Sequence, residues 1–176
     1  MKMTILEIFY FLQPPLVWWL FRRFARRNVF GHMLAGVMIG AFNEFATAPL
    51  WDYHLKINIY KDTPLAVVLG WGVMFALVVF ISEKVYAFVF KKPVELRDPR
   101  VLLCDLAAAV VIALPLEAIA MKSGVWDYRY DLLGWDWGTI PLINMPWEAL
   151  FGYCLLMLVG PSFVRLWAPV FNGEGK

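Results

Sequence analysis

The sequence predicts an all-α integral membrane protein, a five-helix transmembrane bundle containing two parallel helix–loop–helix repeats. Three observations predict it. Of 176 residues, 61% are hydrophobic and only 17% charged, with a mean hydropathy of +0.63. That is more apolar surface than one soluble core of this size can hide, and hydrocarbon is its natural solvent. The apolar residues gather into five runs, at about 4–21, 29–50, 64–90, 101–121 and 141–168. At ~1.5 Å per residue each run is long enough to cross ~30 Å of hydrocarbon. Finally, the tripeptide Trp-Asp-Tyr occurs twice, at Trp51-Asp52-Tyr53 and Trp126-Asp127-Tyr128, with matching residues around both copies. Residues 1–176 read as a single transmembrane domain, with repeat one at about 29–90 and repeat two at about 101–168.

The first run contains Pro14-Pro15, which predicts a kink or a broken, re-entrant segment. It does not read as a cleaved signal peptide. Its basic cluster, Arg22, Arg23, Arg26 and Arg27, follows the apolar stretch, and no small-residue cleavage site accompanies it.

The second and fourth runs correspond. One carries Gly36-x-x-x-Gly40-x-x-x-Glu44 and the other Ala109-x-x-x-Ala113-x-x-x-Glu117. Positions four apart share a helix face, and small residues on that face let backbones approach. Both glutamates are therefore expected on a helix–helix face and not toward lipid. The third and fifth runs correspond as well. Pro64-Leu65 leads to Trp71-Gly72 and Ala76, while Pro141-Leu142 leads to Trp147-Glu148 and Gly152. The copies differ in polar chemistry: Glu148 stands against Gly72, and Asn43 against Leu116.

Lys and Arg set the expected orientation. Arg22, Arg23, Arg26 and Arg27 follow the first run, and Lys91, Lys92, Arg97 and Arg100 follow the third; the other side offers only Lys2, Lys56, Lys61, Lys122 and Arg129. The positive-inside rule then places the C-terminus in the cytoplasm and the N-terminus and both Trp-Asp-Tyr loops outside, in a bacterial-type inner (plasma) membrane. A net charge of +2 gives no reason to expect nucleic acid as a partner. Cys104 and Cys154 lie inside apolar runs and read as small core residues.

Glu44, Glu117 and Glu148, with Asn43, are the candidate catalytic residues. Counted from the run ends, the three acids come out at a similar depth, and Glu7 joins them if the first run starts outside. An acid at membrane depth costs about 2.5–3.5 kcal/mol on insertion scales, so such groups usually face the bundle and function there. A protonated carboxyl can act as a general acid toward an alkene, an epoxide or a polar lipid group. The structural alternative is that these acids hydrogen-bond loop aromatics or Asn43 and pin the bundle. Trp51, Asp52, Tyr53, Trp126, Asp127, Tyr128 and Trp147 are the candidate substrate-binding residues, as a lid whose aromatic faces stabilise a cation. Their structural alternative is an interfacial turn, with rings anchored at the headgroups.

Glu83-Lys84 and Asp105 read as snorkelling interfacial charges. His32 and His54 lie at opposite ends of the helices, a spacing that argues against a metal site. The chain has no Walker loop, dinucleotide fingerprint, G-x-S-x-G, H-E-x-x-H or C-x-x-C-H, so no cofactor is expected.

Glu117, Trp126-Asp127-Tyr128 and Pro146-Trp147-Glu148, with Glu44 and Trp51-Asp52-Tyr53 in the first copy, resemble the motifs of the lycopene cyclase domain family of carotenoid-pathway membrane proteins. Ala149 stands where that family has a second glutamate. The resemblance spans roughly residues 40–155. It implies a cyclase or isomerase that starts a redox-neutral reaction on a polyene lipid by proton transfer, without nucleotide. Two other classes remain open. One is a non-catalytic subunit or lipid-binding accessory protein of a membrane complex, whose acids pair with a partner or a second copy. The other is a small proton-coupled transporter. The expected partners are thus membrane lipid or polyene, and a membrane protein or homo-oligomer under the second reading.

Overall fold

The computed structural model describes residues 5–95 and 97–173, with Leu133 as backbone only. Lys2, counted above for orientation, and the first residue of the first run lie outside them. The described chain is mostly helical: α1 (Ile5–Leu20), α2 (Phe30–Thr47), α3 (Leu65–Phe90), α4 (Arg100–Lys122), α5 (Tyr130–Leu133) and α6 (Trp147–Phe171). Among the described residues, four helical segments are long and apolar enough to cross a membrane: Phe30–Leu50, Leu65–Phe90, Arg100–Lys122 and Trp147–Phe171. The first of these extends α2 through a 3-10 turn, Ala48–Leu50. Outward side chains on α6 (Phe151, Leu155, Val159) and α4 (Leu103, Val110, Val111) are apolar and exposed, a surface that hydrocarbon accepts and water does not.

α1 departs from the expected kink or break. It is a single helix of 16 residues, or ~24 Å, carrying Pro14 and Pro15 without a break. It leads into a π-helical turn, Phe21–Ala25, closed by Arg26 in the left-handed region (φ 51°). The chain is also not purely helical. β1 (Trp51–Tyr53) pairs antiparallel with β4 (Trp126–Tyr128), and β2 (Asn58–Tyr60) pairs with β3 (Thr63–Pro64). The two Trp-Asp-Tyr copies are thus strands of one small sheet, with Trp51 opposite Tyr128, Asp52 opposite Asp127 and Tyr53 opposite Trp126. The ladder continues at both ends, where Arg129 N–H donates to Leu50 O and His54 N–H to Val125 O, both at 2.9 Å.

α2 packs against α3 and α6, α4 against α3 and more lightly α6, and α1 lies along the outside of α3. The small residues of α2 set its closest approaches. A Cβ at Gly36 would stand 3.0 Å from Gly72 Cα, and one at Gly40 would stand 2.3 Å from Trp71 Cβ. Trp71, Phe75, Val78, Val79, Met157 and Val164 fill the centre.

α6 begins later than the apolar run suggests. Residues 141–146 form a turn, with Leu142 (φ 73°) and Asn144 (φ 59°) left-handed and Ile140 N–H donating to Met145 O at 2.8 Å. Pro146 then precedes the helix, as Pro64 precedes α3, each extended at ψ 142° and 138°. Counting from those prolines brings Trp71 level with Tyr153 and Ala66 level with Glu148, so the pairing of Trp71-Gly72 with Trp147-Glu148 is revised. Proline at the helix boundary sets that register, because it fixes φ and offers no N–H.

Candidate functional site

The Gly36–Gly40–Glu44 stripe works as a track for α3. With no side chain at Gly40, Trp71 packs against the α2 backbone, and its indole N–H reaches the next residue of the stripe, donating to Glu44 Oε1 at 2.7 Å. Tyr53, from β1, donates its hydroxyl to Glu44 Oε2 at 2.7 Å. Glu44 is 1% exposed, so both oxygens are satisfied by aromatic donors and not by water.

Glu117 is held in the same manner at its own strand. Tyr128 O–H donates to Oε1 at 2.6 Å, Trp126 indole N–H to Oε1 at 3.0 Å, and Tyr153 O–H to Oε2 at 2.8 Å. It is 2% exposed. Tyr53 and Tyr128 are counterparts on the strands, and Trp71 and Tyr153 are counterparts on the returning helices. The remaining tryptophans differ. Trp51 donates to Thr47 Oγ1 at 3.3 Å, whereas Trp126 turns to the glutamate. Burial, then the charges of Glu44 for one and Tyr153 and Glu117 for the other, push the Tyr53 and Tyr128 hydroxyls well above the ordinary phenol range, so both remain donors.

Glu44 and Glu117 line one cavity of about 120 Å³ between α3 and α4, roofed by Phe9, Tyr10 and Gln13 of α1. A dry cavity of this order accepts a small apolar group about the size of benzene. Its walls are mainly apolar and aromatic, and the Gln13 Oε1 among them is buried without a hydrogen-bond partner among the described residues.

The four acids do not converge. Glu148 and Asn43 line a second cavity of about 110 Å³, between α2 and α6. Glu148 Oε1 accepts the backbone N–H groups of Asp136 and Trp137, both at 2.9 Å, and Oε2 is buried without a partner among the described residues. Glu7 is buried too, and its Oε1 accepts the N–H groups of Lys56 and Ile57 at 2.6 and 3.0 Å. Glu7 and Glu148 therefore each clamp one strand-end loop. Trp51, Trp71 and Tyr153 line both cavities and form the wall between them.

Among the expected substrate contacts, Trp51, Tyr53 and Trp126 line the first cavity and Tyr128 the second. Asp52 and Asp127 do not line either; they are exposed and meet Arg129 at 3.4 Å and His54 at 3.1 Å. Trp147 is 39% exposed and lines neither. Sequence reasoning missed Trp71, Tyr153, Tyr10 and Gln13 as site residues. The signal for Trp71 was the glycine stripe, which marks where a bulky ring from the facing helix must sit. Asp105 is a correction: it is fully buried, not interfacial, and ion-pairs with buried Arg165 at 2.5 Å. No group of three or more His, Cys, Asp or Glu able to hold a metal occurs among the described residues. No protein-family model, curated protein or solved structure matches this chain.

Proposed function

We propose that this is a duplicated five-span membrane protein, its two Trp-Asp-Tyr loops outside and its C-terminus cytoplasmic, that carries out a redox-neutral isomerisation or cyclisation of an isoprenoid or polyene lipid. One observation carries the reading: two carboxyl groups, each cradled by Trp and Tyr donors, face one apolar cavity with aromatic walls. In this mechanism one carboxyl, in its acid form, gives its proton to an alkene carbon and becomes a carboxylate. The resulting carbocation sits against aromatic faces, which favour cations. A second alkene closes on it, forming a carbon–carbon bond. A carboxylate then removes a proton from the adjoining carbon, so protons and electrons balance without a nucleotide or metal. Glu44 and Glu117 are the proton-transfer residues, and Tyr53, Trp71, Tyr128 and Tyr153 position them. Glu148 and Asn43 shape the neighbouring cavity.

Product analysis in cells supplied with a polyene substrate tests this. Glu117→Gln and Glu44→Gln should each lower turnover at least about hundredfold, the scale of a lost general acid or base, while the protein stays folded and monodisperse. Full turnover in both variants would overturn the proposal.

A second reading is favoured by the completeness of the hydrogen bonding. Every oxygen of Glu44 and Glu117 already has a donor, as in a pinned, non-catalytic lipid-binding or subunit protein. Mass spectrometry of the natively purified protein separates the two. Bound polyene or its cyclised product supports the enzyme, and a stoichiometric membrane partner lost on changing Glu44 supports the subunit.

A further inference from the structure

A polar cavity lies at the opposite end of the helices, beside the π-helical turn and Pro93-Val94. It has a volume of about 680 Å³ and is lined by Arg26, Arg27, His32, Glu83, Lys84 and Arg165, among others. Four of these are cations and one is a carboxylate. Glu83 is already engaged, by Arg27 and, at 3.7 Å, by Arg165 Nε.

Two further observations point to an absent acceptor. His32 is 9% exposed, and its Nε2 lies 2.8 Å from an Arg27 guanidinium nitrogen. Guanidinium only donates, so Nε2 accepts and Nδ1 carries the proton. That Nδ1–H is buried with no acceptor among the described residues. Arg165 is 8% exposed, and its Nε–H likewise lacks a hydrogen-bond acceptor there. Buried donors are seldom left without an acceptor; Arg165 Nε–H has only the Glu83 carboxylate at 3.7 Å, and His32 and Arg165, from separate helices, line one electropositive cavity. Its other guanidinium nitrogens are held in place, Nη1 by Asp105 at 2.8 Å and Nη2 by Ser82 at 3.1 Å.

We propose that this cavity binds a phosphate group, presented either by an anionic lipid headgroup or by a free phosphate. The phosphate is held at the cavity rim by Arg26 and Lys84, both exposed, with His32 and Arg165 lining the cavity behind them. The site is separate from the carboxyl cavity and stands whether or not that cavity is catalytic.

The test is binding to the full chain in neutral detergent, with inorganic phosphate, phosphatidic acid and phosphatidylcholine as probes, read by native mass spectrometry and thermal shift. Saturable binding of phosphatidic acid alone assigns a lipid headgroup, and binding of inorganic phosphate as well assigns a phosphate site open to soluble ligands. Arg26→Gln/Lys84→Gln, which removes no buried ion pair, should weaken binding about tenfold or more. His32→Leu should weaken it severalfold, by removing the unpaired donor. Equal binding of phosphatidylcholine, no saturable binding of either phosphate probe, or affinity unchanged in both variants would overturn the proposal.

Discussion

Asp52 and Asp127 stand directly opposite each other at the centre of the sheet formed by β1 and β4. Like charges at this spacing repel across a sheet. Each carboxylate has its own partner instead: the Arg129 guanidinium at 3.4 Å from Asp52, and the His54 ring at 3.1 Å from Asp127. The partners come from the opposite copy in both cases, so the contacts that draw the two aspartates apart also tie the two strand segments together.

That register is open to a covalent test. The flanking bonds from Arg129 to Leu50 and from His54 to Val125 make Asp52 and Asp127 a hydrogen-bonded pair, whose Cα atoms lie ~5.5 Å apart. Disulfides form at ~4.4–6.8 Å. With Cys104 and Cys154 replaced by alanine, Asp52→Cys/Asp127→Cys should oxidise rapidly to an intramolecular disulfide, seen by alkylation and mass shift. Asp52→Cys/Tyr128→Cys should not. Equal yields from both pairs would refute the register.

The glycines predict opposite signs for one substitution. Gly40→Ala sets a methyl at 2.3 Å from Trp71 Cβ and should destabilise by about 1–3 kcal/mol, despite the better helix propensity of alanine. At Gly152 nothing lies within 4 Å, and Gly152→Ala should stabilise by about 0.5–1 kcal/mol. Reversible unfolding in mixed detergent measures both, and a destabilised Gly152→Ala would contradict the open space described there.

The Asp105–Arg165 pair should behave as a buried ion pair. Asp105→Asn leaves a buried guanidinium under-compensated and should cost about 3–5 kcal/mol. Asp105→Leu/Arg165→Met should lose clearly less than the sum of its two single changes. Strict additivity in that double-mutant cycle would show that the pair is not coupled.

Two pH limits follow from opposite shifts. Hydrogen bonds from Arg100 and Tyr86 hold the Asp98 carboxyl far below its ordinary range. The unfolded group protonates near ~3.9, so this stabilisation is complete above that pH and is lost as pH falls toward the folded value. Asp98→Asn should flatten the acid limb of the stability profile. Tyr53 and Tyr128 are shifted upward, and unfolded phenols ionise near ~10, so unfolding releases protons above that pH and stability falls as pH rises. Tyr53→Phe/Tyr128→Phe should show a shallower alkaline limb, and an unchanged one would remove these phenols from the account.

The long helices and the inward glutamates were legible because apolar length and a four-residue stripe of small side chains are local signals. Glu44 facing Trp71 is the clearest case: Gly36 and Gly40 announce a close neighbour before the neighbour is known. What stayed hidden was non-local. No pattern within a Trp-Asp-Tyr segment says that its partner is the other copy, 75 residues on. Nor does any local signal divide the acids, sending Glu7 and Glu148 to clamp loop backbone while Glu44 and Glu117 share a cavity. The late start of α6 was obscured because Ile140, Leu142, Ile143 and Met145 are apolar yet lie in a turn, where left-handed backbone at Leu142 and Asn144 overrides composition.

Trp51, Trp71 and Tyr153 have a cavity on either side, so the partition between the two chambers is one side chain thick. Whatever enters one chamber pushes on the rings that bound the other. Trp71 also carries a hydrogen bond to Glu44, and Tyr153 one to Glu117. A displacement of either ring from the Asn43–Glu148 side would therefore move a hydrogen bond that holds a carboxyl on the other side.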